Sequence, residues 1–195
     1  MSETFDDVVR ALHSEGVRHD AGQTERSRRR RNLDPDAAAL LGVVVEAMGA
    51  RRVLEIGTSN GFSTLWLARA VRDRDGTVLT VDLDAEGQRT AAANLARAGL
   101  QDLVQLRCAE GGQVLRELPD GSQDVVFLDS DRSQYVGWWP EPVRVLRVGG
   151  LLAMDNVLSH PDQVAQVRAL VDADPRLSAT VSSAGKGLLL AVRRP

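Results

Sequence analysis

The chain has 195 residues, 43% of them hydrophobic, and a formal net charge of -3. That length fits one domain with a sizeable core and leaves two full domains cramped, and the charge gives no general electrostatic case for binding nucleic acid or an anionic membrane. The single cysteine, Cys108, excludes an internal disulfide. It fits a reducing compartment, and the acidic, amphipathic first residues together with the lack of a membrane-length apolar run lead us to expect a soluble cytoplasmic protein.

Phe5, Val8, Val9 and Leu12 recur at helical spacing, which predicts a short opening helix with one apolar face in need of a cover. RHDAGQTERSRRRRN has no hydrophobic period and reads as a linker or a solvated helix. LDPDAAALLGVVVEAMGA reads as a helix with Asp34 as cap, Pro35 in the first turn and Gly49 at the exit. Strands and helices then alternate: RRVLEIG (51–57), STLWLARAVRD, TVLTVD (77–82), AEGQRTAAANLARAG, LVQLRCA, GQVLREL, DVVFLD (124–129), SQYVGWWPEPVRVL, LLAMD, DQVAQVRALVDAD, and finally the strands LSATVSS and GLLLAVRR. This order predicts right-handed crossovers and an α/β fold, a mainly parallel sheet with helices on both faces. Only a Gly-Lys-Gly turn joins the last two strands, so the final strand should run antiparallel; its lysine, Lys186, is the only one in the chain. Residues 1–33 form a helical segment with a basic linker, and 34–195 form the main domain.

Ligands of such sheets bind at the C-terminal ends of the strands. The first strand ends in Glu55, Gly57 and Gly61, spaced Glu-x-Gly-x-x-x-Gly, where glycines allow backbone to approach a ligand and the next helix offers free N–H groups. Asp82 ends the second strand and can accept ribose hydroxyls, while Ala109, Glu110 and Gly111 end the third. Together these loops suggest an adenosine-bearing cofactor. Asp129 and Asp131 follow the fourth strand, and Asp155 and Asn156 end the fifth. An Asp-Asn pair by itself favours a turn. Adjacent strands lie ~4.8 Å apart, however, and two carboxylates that close call for a cation or a shared proton. Oxygen donors of this kind suit Mg²⁺.

In the motifs VLEIGTSNGFSTLWLA, TVD, FLDSDRSQY, GGLLAMDNVL and GKGLLLAV the chain resembles the cation-dependent O-methyltransferases, the group of the catechol and caffeoyl-coenzyme A enzymes. The likeness runs from about Leu33 to the C-terminus. It implies a Rossmann-like class I methyltransferase domain over 34–195, with seven strands in the order 3-2-1-4-5-7-6. It implies S-adenosylmethionine as cofactor, with Leu33, Glu55, Gly57 and Ser63 around the methionine part, Asp82 on the ribose, and Glu110 and Gly111 beside the adenine. It further implies a divalent metal, Mg²⁺, on Asp129, Asp155 and Asn156, and a small hydroxyl acceptor of the vicinal diphenol type chelated by that metal.

Two departures from the family pattern bear on mechanism. Arg132 stands where the family places a general-base lysine, and arginine does not give up its proton; it is suited to stabilising a phenolate or clamping a substrate carboxylate. Asp131 and His160 are candidate substitute bases, each better suited to capping or the surface. The loop after DNVL is shorter than in plant-type enzymes, which predicts a more open acceptor site. Some bacterial relatives methylate a hydroxylated uridine in transfer RNA, and RSRRRR (26–31) is a candidate phosphate contact; a non-catalytic cofactor-binding domain is a third reading. For Trp138 and Trp139 packing is expected, with one facing the sheet and the other available to wall the acceptor pocket. The opening helix either caps the active site or builds a homodimer, the assembly we expect.

Overall fold

The computed structural model describes residues 3–25, 29, 30 and 32–195. Of the basic run 26–31 only Arg29 and Arg30 fall among these, so the transfer RNA reading, which rests on the whole run, lies outside the described residues. The elements follow the alternation expected. They are α1 (Phe5–Ala21), α2 (Pro35–Ala47), β1 (Arg52–Ile56), α3 (Phe62–Val71), β2 (Thr77–Asp82), α4 (Ala85–Arg97), β3 (Val104–Cys108) and α5 (Gly111–Glu117), then β4 (Gln123–Leu128), α6 (Tyr135–Trp138), α7 (Glu141–Val145), β5 (Leu146–Met154), α8 (Pro161–Ala173), β6 (Leu177–Ser182) and β7 (Leu188–Arg193).

The seven strands form one sheet in the order β3-β2-β1-β4-β5-β7-β6. β7 runs antiparallel to both of its neighbours, and the other pairings are parallel. The central strands are mostly apolar because both faces are covered, with Glu55, Thr80 and Asp124 among the buried polar residues within them. Val53, Val125 and Phe127 point to one buried cluster with α1, α2 and α3, while Leu54, Ile56, Val126 and Leu128 point to the other with α5, α6, α7 and α8. Burying each such side chain contributes roughly 1.5–3 kcal/mol.

The opening helix finds its cover in the first of these clusters. Thr4 caps α1 in a reciprocal box with Asp7, and Val8, Val9 and Leu12 are buried against α2 and α3. Phe5 meets Trp66 edge-on at 5.3 Å, and the Arg69 guanidinium lies 4.3 Å from the centre of the Phe5 ring. The helix also runs further than its hydrophobic period, through Ala21, since the polar turn from Arg18 needs no apolar contact to remain helical.

Two other boundaries differ from expectation. The segment expected as one helix over SQYVGWWPEPVRVL is two short ones, α6 and α7. Pro140 has no N–H to continue the ladder and disfavours helical geometry at Trp139, which is extended (ψ 136°). β5 begins at Leu146, and an irregularity lets it pair with Gln123 before resuming at Leu151 opposite Val125. Beyond its far end, Val157 N–H donates to Gly187 O at 3.0 Å, and the Leu158 and Ser159 N–H groups donate to Lys186 O at 3.0 and 3.1 Å. The loop after Asn156 is thereby stitched to the β6–β7 turn. No helix of the described residues is long and apolar enough to cross a membrane.

Candidate active site

A cavity of about 840 Å³ opens at the C-terminal ends of β1, β2, β4 and β5, with α1 contributing His13, Gly16 and Val17 to its wall. Leu33, Gly57, Ser63, Asp82, Glu110, Gly111, Asp129, Arg132 and Asn156 line it; Glu55 and Asp155 do not.

Gly57 sets the centre. Its φ is +111°, and a Cβ there would fall 2.1 Å from Asp129 O, so only glycine lets the β1 loop cross the tip of β4. The Gly57 N–H donates to Val81 O at 2.8 Å. The next two N–H groups, of Thr58 and Ser59, donate to Asp82 Oδ2 at 2.9 and 3.0 Å. Asp82 thus holds the first loop with one oxygen, and its Oδ1 accepts from Asp84 N–H at 3.0 Å.

Glu55 lies beneath the cavity wall, wholly buried, where the sequence reading puts it at the cofactor. Ser63 Oγ, Thr64 Oγ1 and Thr80 Oγ1 donate to its carboxylate at 2.5, 2.5 and 2.6 Å. Thr58 Oγ1 extends the network, 2.7 Å from Thr80 Oγ1 and accepting from Gln88 Nε2 at 3.0 Å. Burial pushes the Glu55 carboxyl up to about 7 although three hydroxyls favour its charged form. The side chain ties β1, β2 and α3 together behind the β1–α3 loop.

Glu110 does lie at the cavity, as the cap of α5. It accepts from Gly112 N–H at 2.7 Å, Gln113 N–H at 2.6 Å and Trp138 Nε1 at 2.9 Å. Burial opposes its charge, and these donors outweigh it and hold the carboxyl below its ordinary range. Trp138 packs so closely that a Cβ at Gly112 would sit 2.4 Å from its Cδ1, and one at Gly111 3.0 Å from its Cη2. Trp138 therefore walls the cavity at the Glu110–Gly111 end, and Trp139 packs against the α5–α8 cluster. The only sequence trace of this arrangement is the pair of glycines after Glu110. Asn60, also absent from the sequence reading, lines the cavity and has Nδ2 buried without a hydrogen-bond partner.

At the other end Asn156 brings the two carboxylates together. Its Nδ2 donates to Asp155 Oδ2 at 2.6 Å and to Asp129 Oδ1 at 3.4 Å, from a left-handed backbone (φ +65°) that asparagine tolerates better than most residues. Asp155 Oδ1 is buried and has no hydrogen-bond partner. Burial pushes the Asp155 carboxyl up to about 6, against the Asn156 N–H and the nearby Lys186 and Arg132 charges. Asp131 is a cap, accepting from Ser133 N–H and Oγ at 3.1 and 2.9 Å. His160 lines the cavity with its Nδ1 2.9 Å from Ser159 Oγ. Asp34, expected to cap α2, occupies that position without a side-chain cap bond and instead pairs with Lys186 Nζ at 3.4 Å.

Three comparisons match this architecture. Residues 17–194 match the O-methyltransferase family. A candidate O-methyltransferase of Mycolicibacterium smegmatis is 35% identical over 174 residues, 83% of this chain and 82% of that one. A catechol O-methyltransferase of Niastella koreensis is 32% identical over 130 residues, 65% of this chain and 58% of that one. The crystal structure of a Bacillus cereus O-methyltransferase in complex with S-adenosylhomocysteine superposes with a TM-score of 0.75 at 23% identity, over 97% of this chain and 90% of that one. With its sheet order, its glycine-lined first loop and these relatives, the chain belongs to the O-methyltransferase family and is an S-adenosylmethionine-dependent enzyme.

Proposed function

We propose that the enzyme methylates one hydroxyl of a vicinal diphenol-like acceptor held beside a divalent metal, Mg²⁺, on Asp129, Asp155 and Asn156. The observation that carries this reading is the orphaned, buried Asp155 Oδ1 next to a second carboxylate, because a buried acceptor without a donor costs ~1–3 kcal/mol. Turning the Asn156 amide about its Cβ–Cγ bond presents Oδ1 at the same point, which makes three hard oxygen donors of the kind Mg²⁺ accepts. No group of three His, Cys, Asp or Glu suited to a metal occurs among the described residues; the set proposed here takes two carboxylates and an amide oxygen. The name of the Niastella koreensis relative supports the acceptor class.

A metal there supplies positive charge that makes a bound hydroxyl more acidic. The residues of the chain do the rest. Asp82 and the Thr58–Ser59 backbone fix the ribose end of the cofactor, Trp138 and Gly111 flank its base, and Leu33, Ser63 and Asn60 enclose its methionine end. The acceptor oxygen then bonds to the methyl carbon as the carbon–sulfur bond breaks toward sulfur, giving the methyl ether and S-adenosylhomocysteine, and the hydroxyl proton passes to solvent water. Alignment of this kind is worth ~7 kcal/mol or more. Asp131, engaged with Ser133, is poorly placed as a base, and Arg132 keeps its proton.

The test is S-adenosylhomocysteine release with a catechol panel in Mg²⁺ and in EDTA. Turnover that disappears in EDTA and returns with Mg²⁺ is expected; equal turnover in both overturns the metal reading.

A further inference from the structure

Building on the proposed diphenol reading, we infer that the acceptor carries a carboxylate, gripped at the rim of the cavity by Arg132 in an orientation set by Gln163. Arg132 lies three residues after Asp129, half-buried and lining the cavity. Its Nε donates to Gln163 Oε1 of α8 at 2.9 Å. Away from the cavity, Arg144 pairs with Asp120 at 2.5 Å and Glu141 at 2.6 Å, Arg147 with Asp124 at 2.5 Å, and Arg176 with Asp174 at 2.6 Å. Among the described residues no carboxylate stands within ion-pair distance of Arg132. The nearest in sequence, Asp131, spends its Oδ1 on the Ser133 N–H and hydroxyl.

The partner at Nε is what gives this arrangement its meaning. A glutamate there would fix the guanidinium and cancel its charge. Gln163 fixes it and leaves the charge intact, with the edge formed by Nη1 and Nη2 remaining for another group. Two parallel N–H donors on a rigid plane match a carboxylate in bidentate fashion. Arg132, Asp129 and Asn156 line one cavity, which puts such a substituent and the acceptor's hydroxyls in the same space.

The test compares two acceptors that differ in charge and little in shape, 3,4-dihydroxybenzoate and 3,4-dihydroxybenzamide, in Mg²⁺. The wild-type enzyme is expected to favour the acid at least tenfold in kcat/KM, chiefly through KM. Arg132→Gln should bring that ratio close to one, and Gln163→Leu should lower it in part. Calorimetry on protein saturated with S-adenosylhomocysteine should show the acid's Kd rising about tenfold in Arg132→Gln while the Kd of the amide moves far less. A wild-type enzyme that turns over both acceptors without preference overturns this inference and leaves the diphenol reading standing. So does an Arg132→Gln enzyme whose kcat falls equally for both, which marks Arg132 as a phenolate stabiliser. Turnover of neither acceptor, with S-adenosylhomocysteine still bound, removes the diphenol reading and this inference with it.

Discussion

A Cβ placed on Gly57 would lie 2.1 Å from the backbone oxygen of Asp129. The β1–α3 loop and the first residue of the proposed metal set are therefore in direct contact, backbone against backbone. Gly57→Ala meets both this overlap and an unfavourable φ of +111°. It should destabilise the protein by about 3 kcal/mol or more, a Tm loss on the order of 10 °C. Thermal unfolding with and without S-adenosylhomocysteine checks this, and an unchanged Tm would show that the loop has another path past β4.

Glu55 makes stability depend on pH. Its folded carboxyl titrates near 7 against an ordinary 4.5, so between those values the folded state keeps a proton that the unfolded state has lost. The contribution is fully present below pH 4.5, declines as pH rises toward 7 and is gone above that, on the order of 3 kcal/mol across the window. Urea unfolding of wild type and Glu55→Gln at several pH values should show a slope in their difference over this range. A flat difference would mean that the three hydroxyls keep Glu55 ionised throughout.

Trp138 should matter to the cofactor twice, through its ring and through its N–H. Trp138→Phe removes the bond to Glu110, worth about 1 kcal/mol, and should weaken S-adenosylhomocysteine only a few-fold. Trp138→Ala should weaken it about tenfold or more, roughly 1.4 kcal/mol. Calorimetry on folded variants decides, and wild-type affinity in Trp138→Ala would remove the ring from the cofactor wall.

Asp155 lies behind the cavity surface, so its two possible roles separate cleanly. Asp155→Ala should reduce Mg²⁺-dependent turnover about 100-fold or more while S-adenosylhomocysteine affinity changes by less than about threefold. Parallel loss of both, measured by turnover and calorimetry, would make Asp155 a structural residue.

The alternation of strands and helices carried the mainly parallel sheet with helices on both faces and the Gly-Lys-Gly turn reversed the last strand, while the strand order itself came only with the family resemblance. The strand-end residues were legible for the same reason: once the sheet is known, Asp82, Glu110, Asp129 and Asn156 have one end to occupy. Depth was not legible. Glu55 and Asp155 sit at strand ends like the others yet turn beneath the surface, since which way a terminal side chain leans depends on partners such as Thr80 and Asn156 that are distant in sequence. Nor were contacts between separate segments, such as Trp138 on Gly111 and Gly112, or Gln163 on Arg132, for no periodicity records them. The break at Pro140 was visible in the residues and was outweighed by the apolar spacing around it.

The stitching of the loop after Asn156 to the β6–β7 turn has a consequence for how this scaffold can diversify. Three backbone N–H groups hold that rim in place, and hydrogen bonds through the main chain do not depend on which side chains the loop carries. The side chains of this rim can therefore vary on a frame the main chain holds, within the limits set by Leu158 packed against Gly187 and by Ser159 Oγ, 3.4 Å from Asn156 Oδ1. Libraries confined to this rim would explore new acceptors while leaving Asp82, Glu110 and Trp138 unchanged.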